Sequence, residues 1–369
     1  MEYLRITILL FAMPLTLVTK ASAQTFSQKC TSQPGLIKCV DFDDTSKIFY
    51  TWDSYDAICN AAMTAKGYTR YSLGPDRSGL GNTAATSYGG ACHYPEIDSN
   101  VKASGAGSLR FTIPSMSEAN SSGFFSEVFG KDAQGKFLFV GPGSKLGSVV
   151  YFQFKQKMDN NFVNTDFKCL NGSCGGWKQT ILYGNPPIGS SSSTIEVTMN
   201  NGWQRGVPQM YGQQGHDDYG IEDIIGCTYA KASAGGSGSG FESRPFYLAP
   251  YNPTCLHFSI DQWMEFTVRV EILGTPNAPA SRVQLWLNGQ IAVDYKKAQI
   301  NWGSSDGDGI GQFMLTPYHT NKDVTHVHNT AYTWYDDVII ATQPIPMSNG
   351  ALPPPPLAAP AAPKNLQVQ

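Results

Sequence analysis

Between Trp263 and Pro346 apolar residues recur at every second position, broken only by turn chemistry, and this alternation constrains the fold more than any other feature. The stretch reads WMEFTVRVEIL, then RVQLWLNGQIAVDY, then GQFMLTPYHT after a Gly-rich break, and closes on YTWYDDVIIATQPIP. Asn288-Gly289 lies between two apolar runs. A type I′ turn needs positive φ at both central residues, so this dipeptide predicts a hairpin. Earlier segments repeat the pattern. Ser108 to Ile113 puts Leu109, Phe111 and Ile113 on one face. Val150 to Met158 puts Val150, Phe152 and Phe154 inward and Tyr151, Gln153 and Lys155 outward. Thr194 to Asn200 puts Ile195, Val197 and Met199 inward and Glu196, Thr198 and Asn200 outward. Helical character is confined to a short candidate at Tyr55 to Lys66. The pattern predicts an all-β chain, an antiparallel sandwich or barrel. If one sheet curves, the outward residues are expected to line a polar concave groove.

The ends have a different character. Arg5, the apolar run Ile6 to Val18 and Ala21-Ser22-Ala23 read as a secretion signal over residues 1–23, with cleavage after Ala23. The protein is therefore expected to be secreted and extracellular. The eight cysteines fit an exported chain with disulfides. Nearest-neighbour pairing is expected: Cys30–Cys39, Cys59–Cys92, Cys169–Cys174 and Cys227–Cys255. No C-x-x-C spacing supports zinc instead. Residues 24–104 read as a disulfide-tied N-terminal part of the domain, 105–346 as the sandwich, and 347–369 as a Pro/Ala-rich linker. Lys plus Arg number 26 against 29 Asp plus Glu. That balance argues against nucleic acid or an anionic membrane as partner, because both need a basic surface.

Several segments carry a family resemblance. GAGSLRF (105–111), VYFQFKQ (150–156), GGWKQTI (175–181), WMEFTVRV (263–270), RVQLWLNG (282–289) and WYDDVIIAT (334–342) resemble strands of the concanavalin A-like lectin/glucanase superfamily. Within it the chain is similar to polysaccharide lyases of the glucuronan and alginate lyase type. The resemblance implies an antiparallel β-jelly-roll sandwich with a concave carbohydrate groove. It also implies cleavage of an acidic, uronate-containing polysaccharide by β-elimination. The same fold hosts non-catalytic lectin-like modules and glycoside hydrolases, which stand as alternatives.

β-Elimination needs a group that neutralises the uronate carboxylate, a base for the C5 proton and a proton for the departing oxygen. The residue types suited to this are Lys178, Gln179, Tyr211, Tyr318 and His319. Lys178-Gln179 resembles the Gln-containing strand of such lyases, although the Gln-Ile-His triplet of alginate lyases is Gln179-Thr180-Ile181 here. Alternation lets only one of Lys178 and Gln179 face a groove. Pro317 ends the preceding strand and turns Tyr318-His319 outward. Arg205 suits a bidentate contact to a uronate, and Trp177, Glu196, Asn200 and Trp334 are candidate substrate contacts on groove strands or loops. A glycosidase needs two carboxylates flanking the scissile bond. Glu96-Ile97-Asp98 lacks the third carboxylate of the β-glucanase strand, because position 101 is Val101, which leaves Glu127 and Glu196 as acids without a spacing argument.

No cofactor is expected. His326 and His328 share a strand face, and with His319 or Asp323 would make a metal set, but a surface pair is the simpler reading. Asp336-Asp337 would suit a structural calcium ion, except that neighbouring strand residues point to opposite faces.

Overall fold

The computed structural model describes residues 24–44, 48–52, 56–67, 81–119, 122–165, 167–170, 177–184, 196–201, 206–212, 256–275, 278–298, 300, 309–319 and 321–355. Within them the alternating segments form two stacked, predominantly antiparallel sheets of eight strands each. The first sheet contains β1 (Leu36–Val40), β5 (Glu96–Asp98), β6 (Ser108–Ile113), β8 (Val149–Met158), β12 (Trp263–Glu271), β15 (Ser281–Leu287), β16 (Gln290–Ala298) and β18 (Ala331–Ala341). The second contains β2 (Ile48–Trp52), β3 (Gly81–Tyr88), β4 (Ala91–His93), β7 (Phe124–Val128), β9 (Trp177–Tyr183), β10 (Glu196–Asn201), β11 (Gln209–Gly212) and β17 (Gln312–Leu315). β13 (Gly274–Thr275) and β14 (Ala278–Pro279) form a separate two-residue pair.

The strand order is β16-β15-β12-β8-β18-β6-β5 in the first sheet, with β1 also on β18, and β11-β10-β9-β17-β7-β3-β2 in the second. The central strands pair with partners distant in sequence, β8 with β18 and β17 with both β7 and β9, as in a jelly-roll sandwich. β2 and β3 alone pair in parallel among these ladders.

The core lies between the sheets. Phe152 meets Phe313 of the second sheet at 5.3 Å between ring centroids, and Phe154 stacks on Phe266 at 5.2 Å. Burying each such side chain contributes about 1.5–3 kcal/mol. Leu109, Phe111 and Ile113 are buried in this core as the alternation predicts. Asn288 and Gly289 have φ of 50° and 75°, so the hairpin between β15 and β16 forms as read. The short helix α2 (Ala57–Ala65) lies inside Tyr55 to Lys66, capped by Asp56 and held by buried Cys59 and Met63. Two further helices, α1 (Phe26–Ser32) and α3 (Asn160–Asn164), carry too little periodicity to read from sequence. Thr25 and Gln28 form a reciprocal capping box that starts α1.

The residues before position 105 are structural members of both sheets. β1 and β5 belong to the first, and β2 and β3 to the second. An ion pair inside the sandwich ties them together: Lys38 Nζ of β1 lies 2.7 Å from Glu127 of β7. Burial pushes the Glu127 carboxyl up, against the pull of Lys38. Cys30–Cys39 and Cys59–Cys92 are disulfides, and Cys169 is also disulfide-bonded. Cys174, Cys227 and Cys255 lie outside the described residues.

Within the expected linker the described residues, 347–355, are packed on the outer side of the first sheet. The Ser348 amide donates to Glu265 Oε1 at 2.6 Å, Asn349 Nδ2 to the Gly289 carbonyl at 3.0 Å, and Tyr151 Oη to the Pro354 carbonyl at 2.6 Å. A Pro-rich segment has carbonyls with few amides to satisfy them internally. Tyr151 and Arg269 donate to the Pro354 and Pro355 carbonyls, while the Ser348 amide and Asn349 side chain donate back to the sheet, so the extended segment binds a surface. Among the described residues no helix is long and apolar enough to cross a membrane.

Candidate functional site

The outward residues of the sequence do not form one groove. Tyr151, Gln153 and Lys155 stand on the first sheet, and β10 belongs to the second. Alternation separates inside from outside but does not say which sheet a strand joins. The outer side of the first sheet near Gln153 is covered by α1, since Lys29 Nζ donates to Gln153 Oε1 at 2.7 Å.

β9 carries the most informative local geometry. Trp177 is in the core against Phe162, with ring centroids 4.3 Å apart. Gln179 is fully buried, and its Nε2 donates across the sandwich to Gln156 Oε1 at 2.8 Å. The Tyr335 hydroxyl donates to the Gln179 carbonyl at 2.8 Å. Between these inward residues Lys178 is half-buried and turned to the outer side of the second sheet. The β9–β10 register slips here, Met199 facing Thr180 but Asn200 facing Lys178, so Gln179 is a bulge residue. The alternative left open by alternation is thus resolved: Lys178 faces outward and Gln179 does not.

Tyr318 joins Lys178. Lys178 N donates to the Tyr318 carbonyl at 2.8 Å, and Lys178 Nζ lies 5.4 Å from the centre of the Tyr318 ring. On the same outer side Ser126 and Gln312 are buried, and among the described residues Ser126 Oγ and Gln312 Oε1 have no hydrogen-bond partner. Their inward neighbours Phe125 and Phe313 fix that direction. The sequence reading missed both, although GQFML alternation contains the signal: Phe313 and Leu315 inward force Gln312 outward. Tyr183 Oη approaches Met314 Sδ at 3.7 Å on this side. In the backbone register Asn200 lies opposite Lys178 and Tyr211 opposite Thr198. The side chains of Glu196, Asn200 and Tyr211, and all of Arg205, lie outside the described residues.

His319 goes the other way. Its ring packs at 4.3 Å from Phe167 and 6.4 Å from Trp177, and the residue is 2% exposed. A bridge to Trp177 pins the backbone while the side chain turns beneath it. The expectation that Pro317 sends both Tyr318 and His319 outward fails for His319, because consecutive extended residues diverge. Burial holds the imidazole well below its usual range, so it is neutral. The unfolded chain binds this proton near pH 6.5 and the folded chain binds it only at lower pH. Stability should therefore be complete above about pH 6.5 and fall at lower pH by up to about 1.4 kcal/mol per unit. His328, lowered by burial, adds to the same trend. Urea midpoints at pH 7.5 and pH 5 should show the loss, and His319→Phe should flatten it.

The remaining candidates lie apart from Lys178 and Tyr318. Trp334 is on the outer side of the first sheet, its indole donating to Asp98 Oδ2 at 3.0 Å. Glu96 and Asp98, set outside the sandwich by sequence reasoning, form its edge strand β5, and Glu96 pairs with Arg110 at 2.9 Å. Glu127 is an interior ion-pair member. His326 and His328 have ring centroids 6.1 Å apart, and among the described residues no three His, Cys, Asp or Glu are grouped so as to hold a metal ion. Asp336 and Asp337 do not split across the sheet. Asp337 has φ of 53° at a bulge, and both carboxylates reach Ser104. Asp336 takes amides from Ala103, Ser104 and Asp337, while Asp337 takes the Ser104 hydroxyl and pairs with Lys155. Asp337 Oδ2 makes no hydrogen bond among the described residues but faces the Lys155 ammonium at 2.8 Å, and that cation opposes a calcium ion beside the pair.

The fold is thus that of a jelly-roll sandwich. Among solved structures the chain is similar to an endo-β-1,4-glucuronan lyase from the fungus Trichoderma reesei, with 12% identity over 68% of this chain and 87% of that one and a TM-score of 0.37. It is similar to an alginate lyase from Aplysia kurodai, with 11% identity over 67% and 86% and a TM-score of 0.39. It is also similar to the botulinum neurotoxin serotype D binding domain, with 9% identity over 72% and 48% and a TM-score of 0.33. No protein-family model matches the sequence, and no curated protein matches it.

Proposed function

We propose that this is a secreted polysaccharide lyase that cleaves an acidic, uronate-containing glycan on the outer side of the second sheet. The observation that carries the reading is the outward pairing of Lys178 with Tyr318, 5.4 Å from ammonium to ring centre. Lys178 meets the uronate carboxylate and stabilises the charge that builds there as the C5–H bond breaks. Tyr318, as the phenolate, takes the proton from C5 and, as the phenol, returns it to the departing glycosidic oxygen. The C4–O bond breaks, a C4=C5 double bond forms, and no water is consumed.

Incubation with glucuronan, alginate and a neutral β-glucan tests the reading. The unsaturated product absorbs in the ultraviolet, and absorbance should rise with a uronate polymer only. New reducing ends without absorbance would replace the lyase with a glycoside hydrolase. Retention on a polysaccharide without either signal would replace it with a lectin-like module.

A further inference from the structure

A pocket lies on the first sheet, on the opposite face of the molecule from Lys178 and Tyr318. Its volume is about 120 Å³, and it sits between α1 and the outer side of the sheet. Gln24, Phe26, Lys29, Gln153, Lys155, Glu265 and Asp337 line it. Most of these are held rigidly. Lys29 is 6% exposed and bonds both Gln153 Oε1 at 2.7 Å and Glu265 Oε2 at 3.3 Å. Glu265 Oε1 is fixed by the Ser348 amide, and Gln153 Nε2 by the Thr267 hydroxyl at 2.9 Å. Asp337 is fixed by the Ser104 hydroxyl and sits 2.8 Å from Lys155 Nζ. Phe26 is half-buried against the apolar cluster of Val149, Tyr151 and Ile339.

The chemistry of this lining selects among ligands. Among the lining side chains two ammonium groups face two carboxylates, so these side chains carry no net charge. Each cation is already paired with an anion, so a charged ligand would have to break an ion pair to enter. A neutral hydroxyl breaks nothing: it donates to a carboxylate and accepts from the adjacent ammonium. Paired acceptors and donors in a pocket that also holds one aromatic side chain, Phe26, suit a pyranose, which has hydroxyls at its rim and an apolar C–H face. Buried, mutually bonded polar side chains also hold their positions before the ligand arrives, which lowers the ordering cost of binding.

We infer that this pocket is a binding site for one neutral sugar residue, separate from the acidic-glycan side of the second sheet. It would let the protein hold a neutral glycan through one face while the other face acts on an acidic polymer. The inference does not depend on the lyase reading, because the two sites lie on different sheets.

Titration of the secreted, processed protein with glucose, galactose, mannose, glucuronate and glycine, followed by NMR, tests it. At least one neutral hexose should saturate with a Kd on the order of 1–10 mM. Phe26→Ala and Lys155→Met should each weaken binding about tenfold or more. Thermal melting identifies any variant that fails to fold, and the pair keeps one readable variant because Phe26 packs against an apolar cluster while Lys155 is partly exposed. The inference is overturned by absence of saturation for every neutral hexose up to about 100 mM. It is equally overturned if glycine or glucuronate binds in preference, or if binding is unchanged in both folded variants.

Discussion

Lys178→Met should lower the rate of β-elimination by about a hundred- to ten-thousandfold, a loss of about 3–5.5 kcal/mol of transition-state stabilisation. Tyr318→Phe should fall in the same range, because it removes only the hydroxyl. Both side chains are half-buried on the outer side of the second sheet, so melting temperature should hardly move. Lys178→Arg keeps the charge but changes its shape, and should recover part of the rate. The effect should appear mainly in kcat, since the carboxylate charge grows in the transition state. Full activity in both Lys178→Met and Tyr318→Phe would remove this pair from the chemistry. His319→Phe provides the contrast. His319 is enclosed by Phe167 and Trp177, and its replacement should alter pH-dependent stability while leaving the pH profile of kcat in place.

Lys38→Met should cost the fold about 3–5 kcal/mol, the usual penalty for leaving one member of a buried ion pair alone. Glu127 is 3% exposed and faces the interior beside Phe313, so water cannot replace the lost ammonium. The carboxyl of Glu127 is already pushed up by burial, and without Lys38 it should take up a proton more readily. Destabilisation in Lys38→Met should therefore grow as pH rises, because the folded variant holds a proton that the unfolded chain releases. The double variant Lys38→Met, Glu127→Leu should recover much of the loss, since matched apolar replacement removes the buried charge altogether. Equilibrium urea unfolding of the wild type, Lys38→Met, Glu127→Leu and the double variant gives the coupling. A single variant with unchanged stability would show that the clasp between β1 and β7 does not hold the two sheets together.

The strand pattern made much of the sandwich legible. Leu109, Phe111, Val150, Phe152 and Phe154 face the core as alternation required, and Asn288-Gly289 turns as its chemistry demands. Two kinds of information were beyond reach. Sheet membership was one: Lys155 and Asn200 are both read as outward but sit on different sheets, because period two carries no long-range pairing. Bulges were the other. At Gln179 a bulge resolves which of two neighbours faces out, and at Asp337 a bulge puts two adjacent carboxylates on one side. A bulge adds one residue to a strand and reverses the expected side for the residues beyond it, and no local composition marked either site. The interior ion pair of Lys38 and Glu127 was hidden for a similar reason. Both residues look like solvent-facing charges until the strands that carry them are brought face to face. His319 illustrates the limit for chemistry, since its residue type suits proton transfer while its packing does not.

The most direct test of where the polymer binds is hydroxyl-radical footprinting with and without a uronate oligosaccharide, read by mass spectrometry at Tyr318, Tyr332 and Trp334. Tyr318 stands on the outer side of the second sheet, and Tyr332 and Trp334 stand together on the first, with ring centroids 5.9 Å apart. Protection of Tyr318, with Tyr332 and Trp334 unchanged, is the predicted result. Protection of Tyr332 and Trp334 with Tyr318 unchanged would place the acidic glycan on the opposite sheet and contradict the account.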